Sequence, residues 1–396
     1  MTTGAPAIVL LLVAALASAC VSSPAGGSTP ASPARAAPSA ASDGGATRAD
    51  HAASQPAPSG AAAPAVPPAP RTPLNPPVRV QVGYFPGSGF LPLFVAADRG
   101  YFQEEGLDVE LTPFAASSDQ FPALASGQID VGGAGADVAL FNAIARGIDA
   151  KIVAYYNGTS PANKGLAILV RQDLVDGGQY REPRDFQGLT IGVNSPTASS
   201  AHYLEMALSR GGLTLDDVNL TTLPYSDMLA ALSNKRLDAA VQTQPFVMQA
   251  ESQGLAKSVF IGGELAPGYP FSLLIMGSQF RGSQPEAARR FVVAFLRAQR
   301  DVYHAFGRAG GNKDEMYQLL MKYTPIKDPA LTAVLAETVA FGDWVPNGQI
   351  PLGPLAETQD FFIRRGAQQE RLNLAQVVDT SYGEYAVQQL GRLPEN

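Results

Sequence analysis

The sequence predicts two α/β lobes, each a mostly parallel sheet flanked by helices, followed by a helical C-terminal region. Three observations carry this. From Val78 onward, short β-rich runs alternate with helical runs of about a dozen residues. The alternation restarts near Gly165 and runs through a second set. From Ser283 the apolar residues keep helical spacing almost to the end.

Taken in order, "VRVQVGYF" from Val78 alternates and reads as a first strand. "GFLPLFVAADRGYFQEEGL" carries helical spacing, with Gly100 as the helix stop and Gly106 as a turn. "DVELTPF", "DVGGAG" and "AKIVAYYN" read as further strands. Between them lie helices over "SSDQFPALASGQI", stopped by Gly127, and "ADVALFNAIARGI". The second set holds strands at "GLAILVRQDL", "LTIGV", "NLTTLPYS", "DAAVQTQPF" and "AKSVFIGGE", and "PFSLLIMGSQF" returns the chain. Expected boundaries are 78–168 for the first lobe, 169–263 for the second, and 264–396 for the return to the first lobe with the C-terminal helices.

The N-terminus stands apart from this body. The apolar run Ala7–Leu16 has the length of a signal-peptide core and is short for a membrane span. The single cysteine, Cys20, follows Ala17-Ser18-Ala19, in the manner of a bacterial lipobox. Residues 1–20 are therefore expected to be a lipoprotein signal peptide with Cys20 as the lipidation site, although the first residues carry no Lys or Arg. An ordinary cleaved signal is the alternative. Residues 21–77, rich in Ala, Pro and Ser and without an aromatic residue, cannot bury enough apolar surface to offset ordering. They are expected to form a disordered tether with a reach of roughly 40 Å.

Composition narrows the function. The 396 residues carry a formal charge of −7 with scattered Lys and Arg, which argues against nucleic-acid binding. One cysteine and three histidines leave no material for a disulfide or a dedicated zinc cage, and no cofactor is expected.

Several phrases resemble the periplasmic solute-binding proteins of ABC importers, in the nitrate/sulfonate/taurine and thiamine-precursor branch. They are "VGYFPGSGFLPLFVAADRGYFQEEGLDVELTPF", "ALASGQIDVGGAGADVAL", "DFQGLTIGVNSPTASSAHYLEMALSRGGL", "ALSNKRLDAAVQTQPF" and "DTSYGEYAVQQLG". The resemblance spans about Val78 to Gly391. It implies a type II two-lobed periplasmic binding protein: a non-catalytic, monomeric, extracytoplasmic receptor that closes around a small solute. Its partners would be an importer's permease and ATPase subunits, and its lipid would hold it to the membrane. Two alternatives stand beside this. Thiamine-pyrimidine synthases are similar but carry a cysteine-rich motif, and no cysteine follows Cys20 here. A solute-sensing adaptor would bind without delivering.

Ligands of open α/β sheets lie beyond the carboxyl ends of strands, and the candidate site residues are chosen there. Phe85, Pro86 and Ser88 form the turn after the first strand. Gly135 and Ala136 would let a ligand approach the backbone, while Asp137 could cap the next helix or meet a cationic group. Tyr155, Tyr156 and Asn157 end a strand, with one tyrosine expected in the core and the other toward the cleft. In "NSPTASSAHYLEMALSRGGL" one hydroxyl among Ser195, Thr197 and Ser199 is expected to cap the helix. At least one other hydroxyl, with Thr197, Ser199 and Ser200 as the candidates, is expected to face solute. His202 in the same helix reads as packed rather than ligating. Tyr225 and Gln244 would complete the far wall. The hydroxyls favour a sulfonate or another oxyanion; the aromatic residues favour a pyrimidine-like heterocycle or an aromatic sulfonate.

Overall fold

The structure, a computed structural model, describes residues 72–395 apart from 116, 308, 309 and 344. The expected signal peptide, Cys20 and the tether up to residue 71 lie outside the described residues.

Among the described residues, ten strands form two five-stranded sheets. The strands are β1 (Val78–Tyr84), β2 (Leu107–Pro113), β3 (Val131–Gly135), β4 (Ala150–Gly158), β5 (Leu166–Arg171), β6 (Thr190–Val193), β7 (Asn219–Thr222), β8 (Ala239–Thr243), β9 (Ala256–Ile261) and β10 (Pro270–Gly277). The first sheet has the order β2-β1-β3-β10-β4 and the second β7-β6-β8-β5-β9. In each, one strand runs against the others: β10 is antiparallel to β3 and β4, and β5 to β8 and β9. These are the two strands by which the chain changes lobe. The fold is thus two-lobed, and the helices from Pro285 onward follow the second crossing.

Sequence signals set several boundaries. The first helix, Leu91–Asp98, stops where Gly100 turns left-handed at φ 74°. Gly127 does the same at φ 73° after Gln120–Ala125. Gly106 has two reasons to lack a side chain: its φ is 77°, and a Cβ there would sit 2.1 Å from the backbone nitrogen of Leu74. That contact bears on the tether. Residues 72–77, expected to belong to it, are docked on the body. Leu74 donates its N–H to Glu105 and packs against the first core, and the Thr72 carbonyl accepts from Arg290. Leu74 is the one leucine of residues 21–77, which contain no Ile, Met or aromatic residue. The expected lobe boundary after residue 168 falls inside β5, so the first crossing lies earlier, at residues 159–165.

Among the described residues, three apolar cores hold the body. One joins the first sheet to the long helix Pro285–Phe306 through Val80, Val82, Phe94, Phe291 and Phe295. Another fills one face of the second sheet. The third is continuous across both lobes. It contains Phe141 and Ile152 from the first lobe, Ile168 and Tyr203 from the second, and Phe361 and Phe362 from the helix Leu352–Arg364. Arg364 at the end of that helix pairs with Glu205 of the second lobe at 2.7 Å.

Candidate ligand-binding cleft

The two crossings run side by side and are bonded to each other. Thr159 donates its N–H to the Tyr269 carbonyl (3.0 Å), and Tyr269 returns its N–H to Thr159 Oγ1 (2.7 Å). Gly263 donates to the Asn163 carbonyl at 3.1 Å. A cleft of about 320 Å³ opens against them, at the lower end of the range of about 300–1,000 Å³ for small-molecule sites.

Its walls come from both lobes. The loop after β1 supplies Phe85, Ser88, Gly89 and Phe90, β4 supplies Asn157, and the start of β10 supplies Phe271 and Ser272. From the second lobe, Thr243 and Gln244 stand at the carboxyl end of β8. Leu335, Thr338 and Val339, at the end of the helix Pro329–Thr338, cover one side. None of the lining residues carries a charged side chain. Phe85 is 42% exposed, so an aromatic face stands free at the rim.

Most lining amides already have partners within the protein. Asn163 donates to the Val339 carbonyl (2.9 Å) and accepts from Gly165 N–H (3.0 Å). Gln244 donates to the Lys164 carbonyl and accepts from Met248 N–H, both at 3.3 Å. The Thr338 hydroxyl donates to the Leu335 carbonyl. Asn157 differs: its residue is 3% exposed and its Oδ1 accepts nothing.

The structure brings four of the expected residues into this cleft: Phe85, Ser88, Asn157 and Gln244, with Pro86 in the same loop. Tyr155 and Tyr156 are both buried, contrary to the expectation that one faces the cleft. The alternation rule presumes one wet face, but cores cover both faces of β4. Tyr156 packs between the rings of Phe90 (4.5 Å) and Phe295 (5.0 Å), and burial pushes its phenol up.

Asp137 caps the helix Val138–Ala145, accepting from Leu140 N–H at 3.0 Å. Burial raises its pKa while that bond opposes the rise. Its other oxygen lies over Gly135, and the Ala136 carbonyl accepts from the Tyr269 hydroxyl (3.0 Å); neither residue lines the cleft.

The hydroxyl-rich stretch does not cap its helix. The N-cap of Ser199–Ser209 is Ala198, with no side-chain cap bond. The hydroxyls engage one another and nearby groups instead. Ser195 Oγ lies 3.2 Å from Thr197 Oγ1 and accepts from Thr197 N–H, and Ser200 donates to Asn194 Oδ1. Such local bonds compete with capping. Thr197 and Ser199 are half-buried and Ser200 is buried. Tyr225 is half-buried beside Ser200, and its carbonyl accepts from Gln242. These four belong to the second lobe and are not among the residues lining the cleft.

His202 is packed. It is 5% exposed, its ring lies 4.7 Å from that of Phe361, and Nδ1 has no partner. Burial, assisted by Arg364, lowers its pKa from 6.5 to about 4. Between these values the unfolded chain binds a proton that the folded protein refuses. Stability is therefore complete above pH 6.5 and falls as the pH drops toward 4, by a limit on the order of 3 kcal/mol. Denaturant midpoints of the parent and of His202→Leu at pH 7 and pH 4.5 check this. The variant should lose less stability over that interval; an equal loss would place its origin elsewhere.

Sequence reasoning missed Phe271 and Ser272, which open a strand rather than close one, and Leu335, Thr338 and Val339, which lie far along the chain. The only hint was that β10 reads as a strand returning to the first lobe.

Two sheets of this order, joined by paired crossings over an interlobe cleft, define the two-lobed periplasmic-binding-protein class. The model of the NMT1-like family matches residues 74–321, and the chain belongs to that family. A curated relative is the riboflavin-binding protein RibY of Chloroflexus aurantiacus. It is 26% identical over 306 residues, covering 74% of this chain and 81% of RibY. Among solved structures, the periplasmic aliphatic sulphonate binding protein SsuA from Escherichia coli aligns with a TM-score of 0.62 at 20% identity, over 81% of this chain and 95% of that one. The desulfurization enzyme DSZB shares the fold at a TM-score of 0.55 and 16% identity, over 78% of this chain and 99% of that one. Among the described residues, no helix is long and apolar enough to cross a membrane.

Proposed function

We propose that the chain is a non-catalytic extracytoplasmic receptor that delivers a flat, uncharged heterocycle to the permease and ATPase subunits of an ABC importer. The observation that carries the ligand class is the absence of charge from the cleft lining, combined with the rings of Phe85, Phe90 and Phe271. Burying an oxyanion without a counter-charge is costly. Stacking an uncharged ring on apolar and aromatic walls is favourable. The similarity to a riboflavin-binding protein supports the same class.

The lining also holds no carboxylate, imidazole, thiol or amine, hence no side chain suited to move a proton or to activate a hydroxyl as nucleophile. This supports a receptor over an enzyme. Closure would bring Thr243 and Gln244 toward Ser88 and Asn157 about the paired crossings. A lipid on Cys20 would keep the body, taken as a monomer, at the membrane beside its importer.

The test is a thermal-unfolding screen of the full chain against riboflavin, lumichrome, uracil, alkanesulfonates, nitrate and bicarbonate. A ligand at 100 times its Kd adds about 2.7 kcal/mol, a shift of several degrees. The expected hit is a heterocycle. A hit only among the anions would overturn the ligand class and keep the receptor. Conversion of the hit to a product would overturn the non-catalytic reading.

A further inference from the structure

We propose that Asn157 Oδ1 accepts a hydrogen bond from a ring N–H of the solute, so that the cleft selects heterocycles with an N–H beside a carbonyl, as in cyclic imides and lactams. This inference rests on the receptor reading above and narrows its ligand class.

Three observations meet at one point. Asn157 is almost fully buried, yet its Oδ1 has no partner, while the amides of Asn163 and Gln244 around it are engaged. A buried acceptor left unpaired destabilises the empty site; a donor brought by the solute would recover that cost. The oxygen lies at the edge of the cleft lining, shielded from solvent, with Gly89 facing it. A Cβ built there would lie 3.7 Å from Asn157 Oδ1 and 3.8 Å from Ser272 Oγ. Asn157 and Ser272 are register neighbours on β4 and β10. A solute edge at this point thus meets an amide oxygen that needs a hydrogen and a hydroxyl able to give one. An adjacent N–H and C=O satisfy both at once. A nitrate or sulfonate oxygen offers Asn157 Oδ1 only lone pairs, and replacing every ring N–H hydrogen by methyl removes the donor and adds bulk.

The experiment measures binding of riboflavin against its N3-methyl derivative, and of uracil against 1,3-dimethyluracil, by the full chain and by Asn157→Ala. The parent should bind the N–H form at least tenfold more tightly than the methylated form. In Asn157→Ala that ratio should fall toward one, with no loss of thermal stability. A general packing role for Asn157 would weaken both forms alike and keep the ratio. Equal binding of both forms by the parent, or an unchanged ratio in the variant, overturns this inference and leaves the heterocycle receptor standing. Binding of neither ring pair by the parent removes the inference together with the heterocycle reading.

Discussion

Gly89→Ala is expected to leave the fold at least as stable as the parent and to weaken solute binding by tenfold or more. The two effects separate because the position is restrictive only toward the cleft. Gly89 is not among the glycines with positive φ, so alanine fits its backbone. Its Cβ would meet nothing nearer than 3.7 Å. Glycine-to-alanine changes at compatible sites commonly add about 0.4–1 kcal/mol by restricting the unfolded chain. The same methyl occupies the space where the solute edge would meet Asn157 and Ser272. Overpacking a filled site costs typically about 1–3 kcal/mol, about tenfold or more in Kd. Thermal unfolding and riboflavin titration of the two proteins check both halves. Unchanged affinity would mean that the solute does not use this corner.

Phe361→Ala should cause a large loss of stability, about 3–5 kcal/mol. Phe361 is fully buried in the helix Leu352–Arg364 and touches His202 of the second lobe and Phe362 of its own helix. It belongs to the core that runs through both lobes. The cavity would therefore weaken the lobes together, and urea unfolding should remain a single transition with a lower midpoint. Leu352→Ala at the exposed start of the same helix should shift the midpoint little. Two resolved transitions in Phe361→Ala would show that the lobes unfold separately and that the shared core couples them weakly.

Where local chemistry decides the structure, the sequence was readable. Val80 and Val82 alternate inward on β1, Gly100 and Gly127 stop helices by turning left-handed, and Asp137 caps the helix that follows it. Four of the expected cleft residues follow from one rule, that loops at the carboxyl ends of strands gather in an α/β fold. The rule is coarse. It also selected Tyr155 and Tyr156, which sit on a strand covered on both faces. It selected Thr197 and Ser200, whose hydroxyls find partners in Ser195 and Asn194. Val339 shows the opposite failure. Its carbonyl holds Asn163 and its side chain lines the cleft, yet nothing in its own neighbourhood of sequence points there. Contacts between distant segments leave no periodic trace.

The place of β10 between β3 and β4 has a consequence for how the protein is made. The second sheet is one unbroken run of chain from β5 to β9 and has all its strands as soon as that run has emerged. The first lobe is not: β3 and β4 face an empty slot until residues 270–277 arrive. A chain delivered from its N-terminus would thus finish its middle before its beginning. Until then the edges of β3 and β4 present unpaired backbone, the kind of edge that recruits foreign strands. Assistance during synthesis or export would matter most in that interval, and truncation anywhere before Pro270 would leave the opening permanent.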